Sequence, residues 1–280
     1  MGVNESQEEY WTSPAGLKWI EHEDALDTAM AGMLDVMLDA ATIDKSDRVL
    51  DIGCGTGAST IGAARRATEG RALGVDISKP FLDRAATRAR GEGAANVTFL
   101  LADAQTHRFA EEEFGVLVSR LGMSFFSDTV AALGNLATAM QRGGRMAFVC
   151  WASVGRNPWF YVPKLAAEAR LGTMPAGDPR APGPTAFQEI DHVTSLMSQA
   201  GLEDIEGTAV ELWLTPPDGA RGAARAASRV GPAARIIKAF GGAEPDAEAI
   251  EDDVAKAFEQ FLQRDQVHVP AVINLFTCRI

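Results

Sequence analysis

The sequence Val49-Leu50-Asp51-Ile52-Gly53-Cys54-Gly55-Thr56-Gly57 decides the fold class of this 280-residue chain. A short strand pattern passes directly into three glycines at alternate positions, and an alanine-rich helical pattern begins near Ala58. Glycine at a strand-to-helix turn allows a positive φ and lets a ligand approach the backbone without a Cβ in the way. An ordinary tight turn is the simpler interpretation, but the three glycines and Asp51 together favour a ligand-binding loop.

Strand and helix patterns alternate around this turn. Predicted strands cover residues 47–52, 71–76, 96–101, 114–119 and 145–151, with helices from about 58, at 79–91 and at about 128–140. This alternation predicts βαβ units and a parallel sheet that is covered on both faces. Two later strands are predicted at 205–214 and 267–277.

The rest of the chain is predicted to be mostly helical. Apolar residues at three- and four-residue spacing indicate helix over about 12–42, and a second helical stretch spans about 216–264. Residues 152–190 are rich in proline and glycine. We therefore predict a helical arm or lid at 1–44 and one catalytic domain at 45–280, with helical insertions at about 152–190 and 216–264.

The overall charge favours a small-molecule partner. There are 26 Lys and Arg against 38 Asp and Glu, which gives a formal net charge of −12. Such a protein repels phosphate backbones and anionic membranes, so neither nucleic acid binding nor membrane insertion is expected. The sequence leaves open whether the protein is a homodimer.

Cysteine usage and hydropathy indicate the compartment. Cys54, Cys150 and Cys278 lie far apart, which argues against a disulfide framework or a metal site. No apolar run approaches the roughly 18 residues of a membrane helix, and the first twenty residues do not resemble a signal peptide. We expect a cytoplasmic protein without a bound metal.

Two further acids follow predicted strands. Asp76 ends the second strand, where a nucleotide-binding fold places a carboxylate that accepts hydrogen bonds from ribose hydroxyls. Asp103 follows the third strand, where a carboxylate can accept a hydrogen bond from an exocyclic amine. Because ligands of open α/β sheets bind at the carboxyl ends of the strands, we expect both acids beside the glycine loop.

The chain resembles class I S-adenosylmethionine-dependent methyltransferases, of the ubiquinone/menaquinone-biosynthesis-like group, over roughly residues 45–151. The resemblance lies in residues 51–57, 74–77, 102–105, 119–126 and 142–146. Arg142 stands where the family has a proline before two glycines.

This resemblance implies a fold and a cofactor. The implied fold is α/β and Rossmann-like, a doubly wound, seven-stranded, mostly parallel sheet with an antiparallel last strand, plus the N-terminal helical arm and helical lid insertions. The cofactor would be S-adenosyl-L-methionine, converted to S-adenosyl-L-homocysteine. The residues expected to bind it are Asp51, Gly53, Cys54, Gly55, Gly57, Asp76, Ile77, Asp103, Ala104 and Ser119, with Trp11 and Trp19 closing over the sulfonium.

The acceptor side has weaker signals. His107 lies four residues past Asp103 and is a candidate general base. Residues expected to line the acceptor pocket are Arg120, Phe125, Trp151 and Trp159. Arg221, Arg225 and Arg229 repeat on one helical face, as a solvated stripe or a clamp for an acidic substrate, and residues 244–253 form an acidic run.

The predicted activity is methyl transfer from S-adenosylmethionine to an O, N or C atom of a small organic acceptor. One alternative is an NAD(P)-dependent oxidoreductase, although Thr60 stands where its glycine loop would need a third glycine. The other is a non-catalytic cofactor-binding protein with a methyltransferase fold.

Overall fold

A computed structural model describes residues 2–280 and contains a central seven-stranded sheet. Its strands are β1 (Arg48–Ile52), β2 (Arg71–Asp76), β3 (Val97–Leu101), β4 (Phe114–Arg120), β5 (Met140–Trp151), β6 (Glu203–Leu214) and β9 (Val269–Arg279). A short hairpin of β7 (Leu262–Gln263) and β8 (Gln266–Val267) precedes β9.

The strand order in the sheet is β3-β2-β1-β4-β5-β9-β6. Strands β1 to β5 run parallel, whereas β9 is antiparallel to both β5 and β6. The chain order reverses direction between β1 and β4, so the carboxyl ends of these strands form a crevice where ligands bind in such sheets. The predicted fold class is confirmed.

In the described part of the chain, twelve α-helices surround the sheet. They are α1 (Glu5–Thr12), α2 (Pro14–Glu21), α3 (Glu23–Ala29), α4 (Ala31–Ala41), α5 (Ala58–Arg66), α6 (Lys79–Gly91), α7 (Thr129–Ala139), α8 (Pro158–Leu171), α9 (Ile190–Gln199), α10 (Gly219–Arg229), α11 (Pro232–Ala239) and α12 (Glu244–Phe258). Among residues 2–280, no helix has the length and apolar character needed to cross a membrane.

The core lies on both faces of the sheet. Alternate residues of a strand point to opposite faces. Val116 and Val118 of β4 therefore belong to the buried cluster that includes residues of α4 and α8, while Leu117 between them belongs to the cluster that includes residues of α7 and α9. Both clusters consist of buried aliphatic and aromatic side chains. The continuous apolar strand pattern thus reflects burial on both sides.

The N-terminal arm differs from the predicted helix over residues 12–42. It consists of four short helices and begins at Glu5. Pro14 cannot continue α1, and the Ser13 side chain accepts a hydrogen bond from the backbone N–H of Gly16 to begin α2. A Cβ on Gly16 would lie 2.6 Å from the carbonyl oxygen of Tyr10, so this tight corner requires glycine.

The arginine stripe on α10 pairs with the acidic run on α12. Arg221 contacts Asp252, and Arg229 contacts both Glu244 and Glu251. The side chains of Arg221 and Arg225 are 71% and 61% exposed, as the interpretation of a solvated face predicts, and the stripe also links α10 to α12. Its pairing with acids of the same chain gives no support to the substrate clamp.

Candidate active site

A cavity of about 520 Å³ lies at the carboxyl ends of the parallel strands. The arm covers it, together with two segments from the predicted insertions, residues 182–184 and 231–235. Predicted site residues that line it are Trp11, Trp19, Gly53, Cys54, Gly55, Asp76, Ile77, Asp103, Ala104, Arg120, Phe125 and Trp151. Elements far apart in the sequence therefore converge on one cavity.

The glycine loop after β1 adopts the predicted conformation. Gly53, Gly55 and Gly57 have φ angles of 65°, 55° and 88°, which L side chains rarely adopt. A Cβ on Gly53 would lie 2.8 Å from the Cα of Gly122, so the loops after β1 and β4 touch backbone to backbone. Gly57 does not line the cavity.

Gly57 contacts protein rather than the cavity. A Cβ at this position would lie 3.0 Å from the Cβ of Ala85 and 3.1 Å from Cζ of Phe99. Gly57 therefore allows the start of α5 to pack closely against α6 and β3. It does not contribute to the cavity, as its predicted role in cofactor binding would require.

Asp51 lies beneath the glycine loop and is 0% exposed. Its Oδ2 accepts hydrogen bonds from Ser59 Oγ at 2.7 Å and Thr60 Oγ1 at 2.6 Å. Oδ1 is buried and accepts no hydrogen bond from the rest of the described chain. Burial raises the pKa of Asp51 to about 6. Asp51 is outside the cavity lining and lies behind Ser59, which does line the cavity.

Asp76 at the end of β2 organises the loop from the other side. Its Oδ2 accepts from the backbone N–H of Gly55 at 2.8 Å, and its Oδ1 accepts from the backbone N–H of Ser78 at 2.8 Å. Burial raises its pKa. Each carboxylate oxygen has a second lone pair, so Asp76 can still accept hydrogen bonds from a ligand in the cavity.

Asp103 is held by the N-terminal arm. Asn4 Nδ2 donates to Oδ1 at 3.0 Å and to Oδ2 at 3.1 Å, and the backbone N–H of Gln105 donates to Oδ1 at 2.9 Å. Asn4 also donates to Gln105 Oε1 and accepts from the backbone N–H of Ser127. We call this contact the Asn4–Asp103 latch. It leaves one lone pair on Oδ2 of Asp103 free for a further donor.

The arm tryptophans pack against each other above the cavity. Trp11 makes edge-on contacts with Trp19 at 5.9 Å, with Phe81 at 5.9 Å and with Phe125 at 5.4 Å between ring centroids. Ser78 Oγ donates to the carbonyl oxygen of Trp11 at 3.0 Å. Trp11 and Trp19 therefore both dock the arm and supply aromatic walls to the cavity.

The end of β4 brings a cation into the cavity. Arg120 Nη2 donates to Asp27 Oδ1 at 2.5 Å, and Arg88 also contacts Asp27. The two arginines lower the pKa of Asp27, against the opposing effect of burial. Phe125 and Trp151, which the sequence places with Arg120 in the expected acceptor pocket, line the same cavity.

Besides Asp51 and Gly57, three predicted site residues lie outside the cavity lining. Ser119 is fully buried and donates to the carbonyl oxygen of Ile52 at 2.6 Å, which ties β4 to β1. Trp159 is 2% exposed and stacks on Phe258 at 6.3 Å, so it belongs to the core between α8 and α12. The His107 ring packs on Phe109 at 4.7 Å, away from the reacting space. Direct roles for these three side chains are corrected to structural ones.

Two residues of the site carry no signal in the sequence. Asn4 and Glu23 reach the cavity only because the arm folds back over the sheet. Neither belongs to a motif, and Asn4 is 99 positions from Asp103. Only the folded arm reveals them.

Comparison with known proteins identifies the family. A family described as "Methyltransferase domain" matches residues 49–144. Aklanonic acid methyltransferase DauC from Streptomyces sp. (strain C5) is 35% identical over 103 residues, 36% of this chain and 47% of that protein. The uncharacterized methyltransferase Mb0092 from Mycobacterium bovis is 30% identical over 190 residues, 65% of this chain and 94% of that protein.

The crystal structure of YcgJ from Bacillus subtilis has the same fold, with a TM-score of 0.56 at 18% identity, covering 89% of this chain and 98% of that one. The chain spans about half the length of the first curated relatives that it matches and nearly all of Mb0092. Placement in the ubiquinone-like group stays a prediction. By sequence and fold alike, the chain belongs to the class I S-adenosylmethionine-dependent methyltransferases.

Proposed function

We propose that this protein transfers a methyl group from S-adenosylmethionine to an O, N or C atom of a small organic acceptor. The observation that carries the proposal is that Asp76 and Asp103 line one cavity with the glycine loop, while Asp51 lies buried directly beneath that loop. When bound, the cofactor supplies an electrophilic methyl group on a sulfonium. The protein then has to align the acceptor and exclude water.

The residues present fit this cofactor. The buried, unpaired Oδ1 of Asp51 suits the ammonium of the methionine part, directly or through water. The free lone pairs of Asp76 suit ribose hydroxyls, and that of Asp103 Oδ2 suits the adenine amine. A side chain at Gly53 or Gly122 would fill the space beside the loop. Cys54, Gly55, Ile77 and Ala104 would supply the remaining walls.

The acceptor occupies the half of the cavity under the arm. Arg120, Phe125 and Trp151 line the cavity, and Arg235 from the second insertion lines it too. Aromatic walls with few polar groups are typical of small-molecule sites. The net charge of −12 argues against nucleic acid. The arm at 1–44 and the insertions at about 152–190 and 216–264 thus shape the acceptor pocket of a domain at 45–280.

A reducing compartment, the cytoplasm, suits the cysteines. Cys54, Cys150 and Cys278 are all buried and free, and burial raises the pKa of each thiol. Fractionation of cells tests this placement. Light scattering of the purified protein tests whether it is a monomer or a homodimer.

Calorimetry with S-adenosylhomocysteine tests the cofactor. Asp76→Ala is expected to weaken binding by about 1.5–3 kcal/mol, the contribution of hydrogen bonds to a charged group. Asp83→Ala, which removes an exposed carboxylate on α6, is the matched control and should bind normally. Tight binding of NAD without binding of S-adenosylhomocysteine would support the oxidoreductase alternative instead.

A screen of acceptors with labelled S-adenosylmethionine tests the transfer itself. Label in a small organic product is the expected result. Tight binding of the cofactor with no product from any acceptor would favour the non-catalytic alternative.

A further inference from the structure

Glu23 and Arg120 both belong to the lining of the cavity, and each has one buried polar atom without a protein partner. These atoms are Oε2 of Glu23 and Nη1 of Arg120, and neither makes a hydrogen bond to any other group of residues 2–280. Leaving a buried hydrogen-bonding atom unsatisfied is costly. Such a pair in a ligand cavity therefore points to a group that the ligand brings.

Glu23 is already fixed in place by its other oxygen. Its side chain is 6% exposed, and Oε1 accepts from Nε of Arg84 at 2.6 Å and from Nη2 of the same guanidinium. This contact anchors the carboxylate from the outer side. It leaves the buried Oε2 as a preorganised acceptor.

Arg120 is fixed in the same way. Its side chain is 15% exposed, and Nη2 donates to Asp27 while Nη1 has no acceptor among residues 2–280. Because Asp27 also pairs with Arg88, its charge is shared between two guanidinium groups. Nη1 therefore remains a donor available to an electron-rich oxygen.

Asp27 connects the helix that carries Glu23 to Arg120. Glu23 and Asp27 are four residues apart on α3, so they share one helix face. Arg120 contacts Asp27, yet no ion pair joins Arg120 to Glu23 in the described chain. A direct ion pair would satisfy both atoms. Instead, one donor and one acceptor stay unpaired on two residues that line the same cavity.

We propose that Glu23 and Arg120 together recognise the reacting hydroxyl of a phenolic or enolic acceptor, an inference that rests on the proposed methyl transfer. A hydroxyl donates one hydrogen bond and accepts others at the same atom, so it satisfies Oε2 and Nη1 together. An ammonium has no lone pair for Arg120, and an aromatic amine is a poor acceptor. The aromatic rings of Trp19 and Phe125 suit an aromatic or conjugated body.

This pair also provides for the proton. The acceptor O–H bond breaks, its proton forms a bond to Oε2 of Glu23, and the electron pair stays on the acceptor oxygen. Nη1 of Arg120 stabilises that oxygen as negative charge develops. Water then takes the proton from Glu23. Glu23 thus takes the role of proton acceptor that the sequence suggests for His107.

The test compares three probes of the same shape on protein saturated with S-adenosylhomocysteine. They are 4-hydroxybenzonitrile, 4-aminobenzonitrile and 4-fluorobenzonitrile, with binding measured by calorimetry. The hydroxyl compound should bind at least about tenfold tighter than the other two, the scale of one hydrogen bond to a charged group. In Glu23→Gln and in Arg120→Lys the preference should fall below about threefold.

Asp24→Asn is the matched control, since it removes an exposed charge from the same helix and should keep the full preference. If Glu23→Gln does not fold, Arg120→Lys decides. Absence of a hydroxyl preference in the unmodified protein, including failure of all three probes to bind, would overturn the proposal, as would an unchanged preference in the folded variants. Failure of the unmodified protein to bind S-adenosylhomocysteine would instead contradict the proposed function.

Discussion

Asp51 connects pH to cofactor binding at the scale of a single side chain. It is buried with one oxygen paired to two hydroxyls and the other unpaired. The pKa of an aspartate in an unfolded chain is about 4, whereas burial raises that of Asp51 to about 6. Folding therefore favours the protonated form, and the unliganded protein loses stability as the pH rises from about 4 to about 6.

A bound ammonium reverses this preference, because it favours the ionised carboxylate. S-adenosylhomocysteine should therefore bind more tightly at about pH 7.5 than at about pH 5, with the change centred near pH 6. Calorimetry across this range measures it. Asp51→Asn should flatten much of the pH dependence and leave the part due to Asp76, whose pKa is also raised. The same pH dependence in Asp51→Asn would contradict this role.

Gly122 tests the close contact between the two loops. Its φ of −77° and ψ of −31° suit any residue, so a substitution changes only the space. A Cβ there would lie 2.6 Å from the carbonyl oxygen of Ile52 and 2.9 Å from the Cα of Gly53. Gly122→Ala should cost about 1–3 kcal/mol of unfolding free energy and weaken S-adenosylhomocysteine binding.

Gly134 on α7 is the control for this crowding. A Cβ there has no atom within 4 Å. Gly134→Ala should raise the unfolding free energy by about 0.5–1 kcal/mol, because alanine loses less entropy in a helix. Equal effects of the two substitutions in urea unfolding would show that the contact at Gly122 is unimportant.

At the scale of a structural element, the arm lies over the cavity and lines one side of it. The Asn4–Asp103 latch joins the start of the arm to the loop after β3, and Asn4 is only 4% exposed. Asn4→Ala removes these hydrogen bonds. S-adenosylhomocysteine should then enter and leave faster, by about tenfold for a loss of roughly 1.4 kcal/mol. Stopped-flow fluorescence of the arm tryptophans measures both rates.

Thr12→Ala is the control for the latch. Thr12 Oγ1 donates only within α1, to the carbonyl oxygens of Glu8 and Glu9. Its exchange rates should match those of the unmodified protein. Unchanged rates in Asn4→Ala would mean that the arm does not limit access to the cavity.

The packing of α8 against α12 depends on Trp159. Its ring lies nearly parallel to that of Phe258, with an interplanar angle of 18°. Trp159→Ala should cost about 3–5 kcal/mol of unfolding free energy and leave the affinity of the folded protein for S-adenosylhomocysteine unchanged. Trp213→Ala, at a position 53% exposed on β6, should change stability by less than about 0.5 kcal/mol. If folded Trp159→Ala instead bound S-adenosylhomocysteine more weakly, Trp159 would have to be counted among the site residues.

At the scale of the whole molecule, the sequence predicted the features that depend on neighbouring residues and missed those that depend on contacts between distant residues. The strands and the glycine loop follow from periodicity within a few residues, and Asp76 and Asp103 follow from their places after strands. Asn4 and Glu23 are different, because their roles depend on the path of an arm that folds across the sheet. Trp159 and Phe125 look alike in the sequence, yet one is in the core and the other lines the cavity. Only tertiary structure distinguishes them.

The net charge of the whole protein predicts that binding of the cofactor and binding of the product depend differently on salt. S-adenosylmethionine carries a net charge of +1 and S-adenosylhomocysteine none at neutral pH, while the protein carries −12. The field of the protein attracts the cofactor more than the product, and salt screens that attraction over a Debye length of about 10 Å at 0.1 M. Raising the salt concentration from about 0.02 to 0.3 M should weaken cofactor binding severalfold and change product binding by less than about twofold. Calorimetry with both ligands measures the two slopes, and equal slopes would show that the overall charge has no part in releasing the product.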